Sequence, residues 1–284
     1  MKLLTLFFLL TVNFAHASPT SFNPVSPFKK VIWVWLENTS YSSMMGQRYV
    51  RNLWLNYPSV RFTHVNQVSP IAQANTIAMI SGNDFGIKDN ELVRVFTPSI
   101  INLLELKSVT WRVYAEEYPG ACYLNEGNGD YKRYRVPFLS LSKIQTDRYL
   151  CSKVVSFNYL EDDLKYGSLP DFSIVIPSLK GSGATSGINA AQGTLQSVID
   201  PILNNADLLA QTTIMISTTT NSDLKNPELF TMILGNGVAG YAYSIDQQYN
   251  HYNVLRTIED GFNLGQLNQN DSKVDPMLGF WKHK

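Results

Sequence analysis

Short apolar runs alternate along the chain with longer amphipathic stretches. Residues 31–36, VIWVWL, are six apolar side chains rich in β-branched and aromatic types, followed by Asn38, Thr39 and Ser40. Such a run reads as a strand covered on both faces, the pattern of parallel sheets flanked by helices. Residues 109–114, 172–176 and 213–217 predict further strands. Thr97 and Pro98 before Ser99, Ile100 and Ile101 give an N-cap, a first-turn proline and the start of an amphipathic helix. Residues 188–203 predict a helix interrupted near Pro201, and residues 254–260 a helix stopped by Gly261. Strands alternating with helices predict an α/β fold, a three-layer sandwich around a mostly parallel central sheet.

The first residues stand apart from this pattern. Lys2, an apolar stretch from Leu3 to Phe14 and Ala15-His16-Ala17 read as a secretory signal peptide over residues 1–17, because the apolar run is too short to span a bilayer. Residues 18–28, with their Ser, Pro and Asn content, form an N-terminal extension, and residues 29–284 are long enough for one α/β domain. The reading is an exported protein, secreted or periplasmic, with no transmembrane anchor.

Formal charge is zero, so nothing suggests the basic stripe that nucleic-acid partners require. Cys122 and Cys151 are the two cysteines, and in an oxidising compartment the simplest expectation is that they pair. Aromatic content is high, with 15 Tyr, 14 Phe and 5 Trp, and Tyr41, Tyr123, Tyr131, Tyr134 and Tyr149 lie in polar, loop-like surroundings. They suit either protein or glycan contact at a surface or packing of loops over the domain.

Candidate chemistry starts at Glu37 and Asn38, which follow the first strand directly. In open α/β sheets ligands collect outside the carboxyl ends of strands, where these oxygens suit a hard cation, although taken alone the pair is more simply read as capping or turning the chain. Gly181, Gly183 and Gly187 raise the possibility of a phosphate cradle, but their spacing departs from G-x-G-x-x-G and a flexible loop is the plainer reading. No G-x-S-x-G elbow is present, which argues against a serine esterase of the α/β-hydrolase kind.

The whole segment 31–46, VIWVWLENTSYSSMMG, resembles the opening motif of the phosphoesterase family, which contains bacterial acid phosphatases and phospholipases C and belongs to the alkaline phosphatase superfamily. Further matches follow in the family's order: Gln73-Ala74-Asn75 leading into a helix that ends at Ser81-Gly82, then residues 86–90, 111–116, 171–177 and 251–260. The resemblance implies an alkaline phosphatase-like sandwich. It also implies a metal-activated Ser or Thr at a helix start that receives a phosphoryl group, with Glu37 and Asn38 as metal ligands and His251 as a site histidine before the last helix.

Against that expectation the reactive positions depart one after another. Anchoring on Asn75 and Ser81-Gly82 puts Ala72 at the nucleophile position, and alanine has no oxygen to offer. Thr219 and Thr220 stand where the family carries a pair of acidic metal ligands. Residues 180–185 lack the family's Asp and His, and the histidine expected before Pro137 is missing, Arg135 being the nearby group able to hold an anion. Glu37, Asn38, Asn75 and His251 survive as remnants, with Asn75 also readable as a helix cap and His251 as a packed structural residue.

The expectation is therefore a non-catalytic protein that keeps the fold and binds a protein, glycan or small molecule, without a cofactor. The alternative is an active phosphatase or phospholipase C with a divalent metal and a rebuilt site, using Ser69 or Thr76 as nucleophile, with Asp223 or Glu228 swinging in as a ligand.

Overall fold

The computed structural model describes residues 28–127 and 129–282, so the expected signal peptide and most of the N-terminal extension lie outside the described residues. Eight strands form one sheet: β1 (Lys30–Leu36), β2 (Ser59–Asn66), β3 (Trp111–Ala115), β4 (Val154–Ser156), β5 (Phe172–Ile176), β6 (Thr212–Thr218), β7 (Thr231–Gly235) and β8 (Tyr243–Asn250). Their order is β4-β3-β5-β1-β6-β7-β2-β8. Every pairing is parallel except those of β7, which runs antiparallel to both β6 and β2.

Alternation along β1 explains the layers. Val31, Trp33 and Trp35 point into one core with Met79, Ile100, Leu104, Val254 and Ile258 of the helices on that face. Ile32, Val34 and Leu36 point into a second core with Val50, Leu53, Leu164, Leu195 and Ile199 on the other. Because side chains alternate strictly, a slip of one residue would exchange the two cores, so burial on both faces locks the register against β5 and β6. The Trp33 indole adds a buried bond to Ser217 Oγ, 3.0 Å away in β6.

The Ile188–Leu203 helix contains Pro201 and is not interrupted there, a correction to the sequence reading. Pro201 falls in the last turn, where the missing N–H removes one ladder bond and no later turn depends on it. The helix expected to be capped by Thr97 with Pro98 in its first turn starts later, at Ile100, with Ser99 as its N-cap and Asn102 as the reciprocal partner of a capping box, so Thr97 and Pro98 precede it. Of the five loop-like tyrosines, Tyr131 is core and Tyr149 is 66% exposed, while Tyr41, Tyr123 and Tyr134 are half-buried.

Cys122 and Cys151 form a disulfide with Cα atoms 5.8 Å apart. It ties the loop after β3 to the segment leading into β4. Thiol titration of denatured protein should find free thiols only after reduction; two thiols without reductant would contradict the bond.

Candidate functional site

Glu37 leaves the end of β1 at the centre of the sheet, between β5 and β6. A cleft of about 520 Å³ opens there, and Glu37, Ala72, Asn90, Tyr134 and Thr220 are among its lining residues. The fold thus gathers the expected ligand position, the expected nucleophile position and one of the expected acidic positions into a single cavity. Asn38 also lines it, but its role is structural: Asn38 takes a positive φ of 55°, and its Oδ1 accepts from Ser222 N (3.1 Å) and Ser222 Oγ (2.6 Å). That amide oxygen closes a turn between the segments after β1 and β6.

The side chain beside Glu37 is a cation. Arg135 Nε lies 2.6 Å from Glu37 Oε2, and both residues are buried. The approach is an ion pair without an aligned hydrogen bond, since Oε2 has no hydrogen-bond partner. Arg135 Nη1 donates to the carbonyl of Pro177 at 2.8 Å, which fixes the guanidinium under the loop after β5. Arg135 therefore faces a carboxylate, not an open anion site, which corrects the sequence reading of it as an anion holder. A guanidinium so placed supplies the positive charge that a carboxylate at a strand end otherwise takes from a metal.

Ala72 is the first residue of the Ala72–Ser81 helix, as the motif alignment requires. The next backbone N–H, that of Gln73, donates to Asn90 Oδ1 at 3.0 Å. One of the donors a helix start can offer an anion is thus already satisfied within the protein. The Gln73 side chain holds the same loop from below, donating to the carbonyl of Glu91 at 2.6 Å. Ser69 is buried, and its Oγ accepts from Ile71 N (3.2 Å). Thr76 is buried as well and donates to Gln73 O (3.1 Å). Neither hydroxyl lines the cleft.

Asn75 and His251 stand close behind the cleft without lining it, so neither is a pocket residue in the sense expected from the sequence. Asn75 is buried; its Oδ1 accepts from Val68 N and Ser69 N, both at 3.0 Å, and its Nδ2 donates to Ile71 O at 3.2 Å. It fastens the loop ahead of the helix. His251 opens the His251–Gly261 helix, and its Nε2 lies 2.9 Å from the Thr219 carbonyl. Burial pushes its pKa down to about 4, only partly offset by that bond, so the imidazole is neutral near neutrality.

The expected acidic pair is replaced by hydroxyls with local partners. Thr219 Oγ1 donates to Leu36 O (3.2 Å), and its N–H bonds the same carbonyl (2.8 Å). Asp223 does not reach in: its carboxylate accepts from Lys225 N (2.9 Å) and Asn226 Nδ2 (2.9 Å) in its own exposed turn. Among the described residues no group of three or more His, Cys, Asp and Glu side chains is placed to hold a metal ion. Gly183, at φ +92°, sits where an added Cβ would lie 3.1 Å from Thr39 Cγ2 and 3.2 Å from Ala191 Cβ, so close packing explains this glycine.

Asn90 as the helix cap and Gln67 are site residues that the sequence reading did not single out, whereas Tyr134 was named there as one of the loop-like tyrosines. Gln67 Oε1 accepts from Asn221 N (3.0 Å), tying the end of β2 to the loop after β6. No local signal marks such residues, because their partners come from other loops.

Residues 62–219 match the phosphoesterase family. An acid phosphatase from Aspergillus fumigatus is 24% identical over 93% of this chain and 62% of its own length. A probable acid phosphatase from Kluyveromyces lactis is 23% identical over 87% of this chain and 61% of its own length. The chain thus spans about three fifths of the length of these curated relatives. In fold it is similar to a Vibrio parahaemolyticus protein of the alkaline phosphatase superfamily, with TM-score 0.59 and 10% identity, covering 89% of this chain and 71% of that one. A lipoteichoic acid synthase from Listeria monocytogenes gives TM-score 0.55 and 10% identity over 85% of this chain and 73% of that one.

Proposed function

The chain belongs to the phosphoesterase family, and from that premise we propose that it is an exported member that binds in its cleft without hydrolysing phosphate esters. One observation carries the reading: the Arg135 guanidinium, 2.6 Å from Glu37 Oε2, occupies the electrostatic place of a cation. The donor set does not fit a divalent metal. Such an ion needs several anionic or carbonyl oxygens around it, whereas here the single carboxylate is already neutralised and the positions across from it are threonines. Ala72 at the helix start supports the same reading, since an attacking alcohol is missing where the family fold aims one. Losing a nucleophile by itself costs on the order of 10⁴ to 10⁶ in turnover. Export is supported by the disulfide.

The names of the two fungal relatives, acid phosphatase and probable acid phosphatase, favour a second reading, an active phosphatase, which we extend to a metal-dependent phosphatase or phospholipase C with a rebuilt site. The two separate in one experiment. Purified protein is assayed with p-nitrophenyl phosphate and with phosphatidylcholine in Mg²⁺, Ca²⁺, Mn²⁺ and Zn²⁺, beside the Glu37→Ala variant. We expect background rates throughout, unchanged by the substitution. Turnover that depends on added metal and vanishes in Glu37→Ala would establish the second reading instead.

A further inference from the structure

We propose that the groove beside the Glu37 cleft, at the carboxyl ends of β2 and β8, binds neutral, polyhydroxylated chains, that is, uncharged oligosaccharides. The inference deepens the non-hydrolytic reading by naming the ligand chemistry. The groove measures about 590 Å³, and Gln67 lines both it and the Glu37 cleft, so the two cavities are neighbours with a shared wall residue. Each falls in the range of roughly 300–1,000 Å³ usual for small-molecule sites.

Side-chain amides dominate the groove wall: Asn66 and Gln67 at the end of β2, Gln247 and Gln248 in β8. In the parallel register His64 pairs with Gln248 and Asn66 with Asn250, so Asn66 and Gln248 lie on one face of the sheet, one diagonal apart. Among the described residues neither of these two amides has a protein partner. Gln67 spends its oxygen on Asn221 N and keeps its NH₂ group for a ligand. An amide presents a donor and an acceptor at fixed spacing, which matches a hydroxyl that both donates and accepts and matches a phosphate, an acceptor only, poorly.

Charge points the same way. The groove is lined by one cation, Lys273, and one anion, Asp275, and in the adjoining cleft Glu37 is cancelled by Arg135. Nothing in the combined surface gathers positive charge for a polyanion or negative charge for a metal. Tyr252 in the groove and Tyr134 in the cleft, both half-buried, add aromatic surface with a polar tip, suited to the mixed apolar and hydroxyl faces of a sugar ring.

The test uses the full chain, with maltohexaose, cellohexaose, chitohexaose and mannohexaose as probes and inorganic phosphate as competitor. Binding is followed by calorimetry and by the ¹⁵N side-chain amide signals. At least one hexasaccharide should bind saturably, shift the Asn66 and Gln248 NH₂ signals, resist rising salt and resist phosphate. Gln248→Leu and Asn66→Leu should each weaken it about tenfold or more with the melting temperature unchanged, since neither side chain holds the fold. Failure of all four sugars to bind at millimolar concentration overturns the proposal, as does binding that phosphate displaces or that neither variant weakens. These outcomes leave the hydrolysis question untouched, because only metal-dependent, Glu37-sensitive turnover bears on that.

Discussion

Replacing Arg135 by methionine is expected to lower the unfolding free energy by about 3–5 kcal/mol, the usual cost of removing one partner from a buried ion pair. The reason is asymmetry: methionine fills much of the space, but Glu37 would remain buried with no counter-charge and Oε2 still without a hydrogen bond. The double variant Glu37→Leu with Arg135→Met should recover most of that loss, since two apolar groups of similar volume leave no charge to solvate. Urea unfolding of the four proteins of the cycle at neutral pH measures both quantities. A single variant within about 0.5 kcal/mol of the parent would mean that water already screens the pair, contrary to its burial. The cycle also bears on function: if Mg²⁺ or Zn²⁺ restored the stability of Arg135→Met, Glu37 would be able to take a metal once the guanidinium is gone, and the arginine would be its direct replacement.

The second large effect is on pH dependence, and it arises from Glu259 and His251, both in the His251–Gly261 helix. Burial and then the neighbouring carboxylate of Asp271 push Glu259 from an ordinary 4.5 up to about 9, so it is protonated in the folded protein at neutrality. A raised carboxyl contributes stability that is complete below 4.5 and is lost as pH climbs through 9, at about 1.4 kcal/mol per pH unit. His251, pushed from 6.5 down to about 4, has the opposite sign: its contribution is complete above 6.5 and is lost as pH falls through 4. Between 4.5 and 6.5 the two slopes cancel, and above 6.5 only Glu259 acts. The contribution of this pair is thus a plateau in mild acid followed by a fall on the order of 3 kcal/mol toward pH 9. Glu259→Gln should flatten the alkaline fall and expose the acid loss due to His251, in a series of denaturation curves from pH 4 to 9. A parent protein whose stability rises from pH 6.5 to 9, with Glu259→Gln tracking it, would contradict the assignment.

A large share of this architecture was legible in the chain. The run at residues 31–36 declared a strand buried on both faces, because only a strand with a core on each side tolerates Trp33, Val34 and Trp35 in succession. Helix ends were legible only to within a residue or two: the sequence reading puts the cap at Thr97 where Ser99 is, and makes Gly261 the stop beyond a helix that it closes as the last residue. Strand β8 reads YSIDQQYN, with neither alternation nor an apolar run, so no periodic signal announced it. It is a strand because β2 supplies its ladder and because, at the sheet edge, its side chains face water more than core.

The site divides along the same line. Sequence alone determined what these side chains can offer: Ala72 has no hydroxyl and Thr219 and Thr220 no charge, whatever fold surrounds them. Tertiary structure decided what the remaining groups do. Glu37 and Arg135 are far apart in the chain and meet only because the segment between β3 and β4, docked on Pro177 in the loop after β5, converges on the end of β1. Asn90 caps a helix through Gln73 N, 17 positions earlier, and Asn75 was settled as a fastener only by its backbone partners. Residue type and period are local properties that a chain carries at every position. The pairing of one buried charge with another depends on which loops the sheet brings together, and that exists only in the folded molecule.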